Sequence, residues 1–351
     1  MNVQVPPAEE LHAKELEALA RKDNSKKPPG WKLSPAAVVN FLQSKFVGER
    51  ALLERCVVTL AGQRGLLLVG EPGTAKSMLS ELLAAAISGS SELTVQGTAG
   101  TTEDHLRYGW NYALLLAQGP HPEALIPSPL LSAMRSGALV RVEELTRCLP
   151  EVQDALVSVM SERRLTVPEL GQSEYARPGF NVIATANLRD KGVSEMSSAL
   201  KRRFNFEVVH PIADLKSEVE LVKRQAMASV AAVDTSFTLD DSILEALVTA
   251  FRDLRDGQSV EGWAVEKPAA VLSTAEAVAV ASSLALQSAY FSSQRDPLSL
   301  LPGYLLGVVN KDDLKDRARL LAYWDGSVRR RAEGGARVWK RLLELRSVLE
   351  E

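Results

Sequence analysis

The chain has 351 residues, of which 46% are apolar and 24% charged, and a net charge of -3. That is long enough for a main domain of about 150–200 residues plus a smaller one, with a sizeable apolar core that needs no metal or disulfide. The charge argues against a chain that coats nucleic acid by bulk electrostatics, and no apolar run reaches the roughly 18 residues that cross a bilayer. The only two cysteines, Cys56 and Cys148, sit in no CxxC or Cys/His cluster, so buried, reduced thiols in a cytoplasmic protein are expected.

Residues 1–30 carry Pro6-Pro7, a charged helical stretch near Glu9 to Arg21, and Lys26-Lys27-Pro28-Pro29-Gly30. This is the composition of a tether, and it predicts a flexible N-terminal arm. From 31 to 211, short apolar runs alternate with helical patterns, the signature of an α/β fold with a parallel sheet. Five strands are predicted: Gly65 to Val69, Leu93 to Gly97, Ala138 to Val142, Phe180 to Thr185 and Phe204 to Val209. Pro129 after Ser128 opens a helix that Gly137 closes, and Pro150 opens another to Glu162. From 212 to 351, strand-like runs give way to helical periodicity, over Leu215 to Val230, Asp240 to Leu254, Thr274 to Phe291 and a C-terminal stretch. Ser273 with Glu276 gives a capping-box pattern, and Asp256 to Pro268 reads as a loop.

Between the strand Leu66-Leu67-Leu68-Val69 and a helix lies Gly70-Glu71-Pro72-Gly73-Thr74-Ala75-Lys76-Ser77. A Gly-rich turn in that place aims backbone N–H groups and a helix N-terminus at phosphate. Lys76 would reach the β- and γ-phosphates of ATP, and the Ser77 hydroxyl would bind Mg²⁺. The bland alternative is a Gly/Pro turn followed by an incidental lysine. Ala75 stands where glycine is usual and adds a methyl where backbone and phosphate approach closely.

The strand Ala138-Leu139-Val140-Arg141-Val142 runs into Glu143-Glu144, which places two carboxylates at the carboxyl edge of the sheet, where open α/β sheets bind ligands. Adjacent side chains on a strand point to opposite faces. One carboxylate can therefore hold Mg²⁺ while the next activates water. Arg141 should share a face with Glu143 and form a buried pair with it.

These motifs carry a resemblance. Glu143-Glu144-Leu145-Thr146-Arg147-Cys148-Leu149-Pro150-Glu151-Val152-Gln153, then Met160 and Glu162, resembles a MoxR-type AAA+ ATPase. Val47-Gly48-Glu49, Ala184-Thr185-Ala186-Asn187 and Ser197-Ser198-Ala199-Leu200-Lys201-Arg202-Arg203-Phe204 extend the likeness from about Val47 to Phe206. The resemblance implies a five-stranded P-loop core (31–211) followed by a helical lid domain (212–351). It also implies a homo-oligomeric ring, usually hexameric, with nucleotide between neighbouring subunits. The nucleotide-binding set would be Val47, Gly48, Glu71, Pro72, Gly73, Thr74, Ala75, Lys76, Ser77 and Met78. Ser77 and Glu143 would serve the Mg²⁺ side, Glu144 would be the catalytic base, and Asn187 would orient the attacking water. Arg203, or its neighbour Arg202, matches the arginine finger given to the next subunit; a helix-end basic cluster satisfying carbonyls is the plain alternative.

The chain departs from that family at Glu143, where aspartate is usual, and at Ala275, where a lid arginine is common. The segment His105 to Pro129 resembles the family's helix-two insertion. Together with a hairpin-like stretch from Leu165 to Pro178 it could form a pore- or partner-facing surface, although its aromatics alone suggest core packing. His105 and His121 lack metal-ligand spacing. Arg329-Arg330-Arg331 and Arg337-Val338-Trp339-Lys340-Arg341 read as a basic helical tail, usually a solvated face.

The sequence reading is therefore a ring-forming, Mg²⁺-dependent ATPase that remodels or matures a separate protein partner. The resemblance adds that this partner could carry a von Willebrand factor A domain. Two other readings are a nucleotide-gated scaffold with little hydrolysis, motivated by Ala75, Glu143 and Ala275, and a DNA-directed motor, motivated by the basic tail alone.

Overall fold

Five short apolar runs become five parallel strands, the three central ones buried on both faces. They are β1 (Gly65–Val69), β2 (Thr94–Gln96), β3 (Leu139–Glu143), β4 (Asn181–Ala186) and β5 (Phe204–Val208). In the computed structural model, which describes residues 6–187, 194–231, 239–291, 296–311, 313 and 315–350, they form one sheet in the order β2-β3-β4-β1-β5. Leu66 and Leu68 enter one core layer while Leu67 and Val69 enter the other, so the unbroken apolar run of β1 feeds two layers at once. The edge strand β5 departs from this. Phe206 and Val208 are 40% and 46% exposed, because only one of its faces is covered.

Packing divides the chain into two units, residues 1–71 with 75–209, and 72–74 with 210–351. In the first, strand register fixes what stands at the carboxyl edge of the sheet. Gln96 pairs with Glu143, and Val69 with Ala186. β3 runs one residue further than the sequence suggests, so Glu143 belongs to the strand itself. The helices Lys76–Ser88, Pro129–Ser136 and Pro150–Glu162 have the predicted Ser128 cap and the left-handed Gly137 close. Two antiparallel ribbons stand apart from the sheet, Arg164–Val167 with Gln172–Tyr175 and Tyr108–Trp110 with Leu125–Pro127. Within the second of these segments the helix Tyr112–Gln118 leaves Tyr112 and Leu116 exposed. Core packing therefore accounts for Tyr108 and Trp110, as their aromatic character suggested, but not for that helix.

The described part of the expected N-terminal arm, from residue 6 on, is docked. Ala8 is buried, its N–H donates to Glu81 at 2.8 Å, and the Glu9 carboxylate accepts from the N–H of Ser91 and the hydroxyls of Ser90 and Ser91. Asp23 accepts from both the N–H and the hydroxyl of Ser34, just ahead of the helix Pro35–Lys45. Composition pointed to a tether, but two acidic side chains, each given charge-assisted hydrogen bonds by folded backbone, hold the segment down.

The second unit is helical. Leu215–Val230, Asp241–Asp256 and Thr274–Tyr290 match the sequence reading closely, and one apolar cluster joins them to Pro297–Val309, Asp316–Tyr323 and Arg337–Glu344. Only half of the expected capping box forms. Ser273 accepts from the Glu276 N–H, while the Glu276 carboxylate binds Lys311. The basic tail is also not simply a solvated face. Arg331 is 8% exposed, paired with Asp253 and Glu261 and stacked 4.6 Å over the Trp339 ring. Arg329 pairs with Asp325 and Arg341 with Asp296. Asp253, Glu261 and Asp296 lie far off in the sequence, so periodicity within the tail could not reveal them, whereas Asp325 stands one helical turn before Arg329.

Candidate functional site

The loop that leaves β1 turns through two left-handed residues, Gly73 (φ 75°) and Ala75 (φ 62°), before the helix at Lys76. The glycine-like conformation is thus kept at Ala75 despite its methyl, at a cost of roughly 1–2 kcal/mol for a residue with a side chain. Lys76 is buried, and its ammonium donates to the carbonyls of Gly70 at 3.0 Å and Glu71 at 2.7 Å. The charge is therefore held inside the curve of the loop. Glu71, Gly73, Ala75 and Ser77 are exposed, and Pro72, Thr74 and Met78 half-buried. Val47 and Gly48 lie just before the helix Arg50–Ala61, whose N-cap position Glu49 occupies without a side-chain capping bond.

At the end of β3 the two carboxylates separate. Glu143 is 4% exposed; one oxygen accepts from Ser77 and Thr185 hydroxyls, each at 2.7 Å, and the other from Ser80 at 2.5 Å and Arg141 at 2.9 Å. Burial pushes its pKa up, but the Ser80 and Thr185 hydroxyls, the Arg141 charge and the Ser77 hydroxyl outweigh this and hold it below the ordinary value. The expected Arg141 pair is thus present. The guanidinium is satisfied further by Ser80, the Ser91 carbonyl and Thr94, as a buried charge requires.

Glu144 adopts a left-handed conformation (φ 54°), which swings its side chain away from Glu143. Its N–H donates to Thr185 Oγ1 at 3.0 Å, and its carboxylate, 32% exposed, lies 3.4 Å from Arg147. One hydroxyl, that of Thr185, therefore donates to the first carboxylate and accepts from the backbone of the second. Asn187, just beyond β4, is 4% exposed.

Ser80 and Thr185 had no site role in the sequence reading, although a signal existed. Ser80 follows Ser77 by three positions, on the same helix face, and Thr185 is penultimate in the strand beside β3. Arg202 and Arg203 are resolved as different groups. Arg203 donates to Ser161 and to the Ala199 carbonyl, both at 2.8 Å. The exposed Arg202 side chain has no hydrogen-bond or ion-pair partner among the described residues.

This geometry is an oxygen-rich acidic strand end beside a strand–loop–helix phosphate turn, on a parallel sheet followed by a helical unit. The profile of the AAA domain, dynein-related subfamily, matches residues 65–204, which defines the class as AAA+ ATPase. The profile of the YehL-like AAA+ ATPase C-terminal domain matches residues 216–350. The chain is 48% identical over 338 residues to the uncharacterized protein YehL of Escherichia coli K12, covering 93% of each, and it belongs to the family of YehL-like AAA+ ATPases. It is also 29% identical over 211 residues to the uncharacterized protein SH1500 of Staphylococcus haemolyticus, covering 59% of this chain and 74% of that one. Among solved structures, NtrX from Brucella abortus in complex with ADP is similar with a TM-score of 0.46 and 13% identity, covering 74% of this chain and 55% of that chain.

Proposed function

We propose that this chain is a ring-forming ATPase of MoxR type, which hydrolyses ATP with Mg²⁺ in the cytoplasm and uses the cycle to remodel or mature a separate protein partner. The observation that carries the reading is the division of labour at the end of β3, where Glu143 is locked to Ser77 while Glu144 is turned away by the shared Thr185 hydroxyl. The donor set fits the metal. Ser77 Oγ and the Glu143 carboxylate are hard oxygens 2.7 Å apart at the foot of the phosphate turn, the chemistry Mg²⁺ prefers. Ser77 and Glu143 would hold it, and the ion would supply charge neutralisation at the phosphates. Lys76 would place its ammonium against the β- and γ-phosphates, Glu144 would take a proton from the attacking water, and Asn187 would orient that water. In the described residues no helix is long and apolar enough to cross a membrane.

The two other readings lose part of their motive. Ala75 already has the backbone shape that glycine would supply, so its methyl is weak support for a scaffold that does not hydrolyse. Three of the five arginines that suggested a DNA motor, Arg329, Arg331 and Arg341, are committed to internal pairs. The ATPase reading is tested by phosphate release alongside nucleotide binding. Wild type should turn over ATP only with Mg²⁺, and Glu144→Gln should abolish turnover while ATP binding survives. Equal, negligible release from both, in the presence of a partner, would sink it.

A further inference from the structure

At the amino ends of the strands, on the side of the sheet away from the phosphate loop, the first unit holds a cavity of about 700 Å³. Five arginines line it, Arg64, Arg163, Arg177, Arg202 and Arg203, and no carboxylate does. None of the five has an acidic partner among the described residues. Arg64 donates to the Asn205 amide oxygen. Arg163 donates to the Phe180 carbonyl and lies 5.7 Å over the Phe180 ring. Nearby acids are engaged elsewhere, Glu162 with Arg164, Glu174 with Arg135 and Glu207 with Arg55.

The wall is built rather than incidental. Gly30, Gly137 and Gly179 all have positive φ, and they meet so closely that a Cβ on Gly179 would stand 2.4 Å from the Gly137 carbonyl oxygen and 3.0 Å from Gly30 Cα. This contact presses Pro28 and Pro29 against one side of the cavity. Five like charges converging on one concavity repel one another, and burial adds to the cost for Arg163, whose pKa it lowers. An anion that bridges several guanidinium forks offsets both. The site is separate from this chain's own loop. β1 runs from Gly65, next to the lining residue Arg64, to Val69 at the loop, about 13 Å at the usual strand rise.

We propose that this cavity is an oligophosphate-binding site in which Arg64, Arg163 and Arg177 supply recognition beyond the two arginines of the Lys201-Arg202-Arg203 segment. The phosphates come either from a free polyphosphate or from a nucleotide presented by a second copy of the chain. The proposal does not depend on hydrolysis.

The test uses the full chain with Lys76→Ala, which disables its own loop, titrated with inorganic tripolyphosphate by calorimetry. Binding is expected, weakened about tenfold for each charge-assisted contact removed by Arg64→Gln or Arg177→Gln, and recovered in part by Arg→Lys at the same positions. Arg224→Gln, at an exposed arginine on the helix Leu215–Val230 that does not line the cavity, should leave it unchanged. In a second arm, Lys76→Ala chains are mixed with the Arg64→Gln/Arg177→Gln chain and ATP, then sedimented. If free tripolyphosphate does not bind but an ATP-dependent complex forms, and that complex is lost when both chains carry the Gln substitutions, the phosphates are those presented by a second copy. Binding that ignores the Gln substitutions, or silence in both arms, overturns the proposal. Melting curves of each variant confirm that it is folded.

Discussion

Ser77 donates its hydroxyl to Glu143 across 2.7 Å, linking the first turn after the phosphate loop to the end of a strand 66 positions away. The loop and the acidic strand end are thereby one unit, and whatever moves Glu143 must move the foot of the loop. Glutamate stands here where the resembling family has aspartate, and its additional methylene is used: the carboxylate reaches four donors at once.

Breaking that cluster should be costly in a way that reveals its balance. Glu143→Gln leaves the Arg141 charge buried without its counterion, and a loss of about 3–5 kcal/mol is expected in chemical denaturation. Adding Arg141→Leu should restore most of it, because the remaining groups are then neutral. Failure of the double variant to recover would show that the charges contribute net stability.

The same carboxylate sets an acid sensitivity. Its folded pKa lies below the ordinary 4.5, so its stabilising contribution is present above about that pH and fades as pH falls through the folded value. Stability measured from pH 6 downward should fall more steeply in wild type than in the Glu143→Gln/Arg141→Leu chain. Parallel curves would contradict the assignment.

Ala75→Gly should raise stability by up to about 1 kcal/mol, since the left-handed strain at φ 62° is relieved while the unfolded chain gains freedom. Ala75→Val, β-branched at the same angle, should lower it. Thermal melting of the three chains would show this order, and an inverted order would mean that the turn relaxes elsewhere.

The two neighbouring arginines should separate by readout. Arg203→Ala removes bonds to Ser161 and the Ala199 carbonyl and should lower the melting temperature, whereas Arg202→Ala should leave melting unchanged and reduce turnover of the assembled protein. If Arg203→Ala reduced turnover alone, the finger role would belong to Arg203.

Arg331→Ala should destabilise the second unit by about 3–5 kcal/mol, because Asp253 is left buried and unpaired. Selective early loss of structure in residues 210–350, seen by hydrogen exchange, would check this; an unchanged profile would mean the pair is dispensable.

Much of this protein was legible without coordinates. The five strands of the sheet, the helices Leu215–Val230 and Thr274–Tyr290 and the phosphate turn are written in local periodicity, caps and breakers, which act over a few residues. The α/β core followed by a helical region, and the placing of Glu143-Glu144 at a strand end, came from the same short-range signals. Only the tertiary structure decided which side chains meet. Ser80 and Thr185 joined the acidic site, Arg331 left the surface, the N-terminal segment docked on Glu9 and Asp23, and five arginines from four separate stretches gathered at one cavity. The physical reason is that burial and hydrogen bonding depend on register and packing between distant segments, and a charged residue reads alike in sequence whether water or a buried partner will satisfy it.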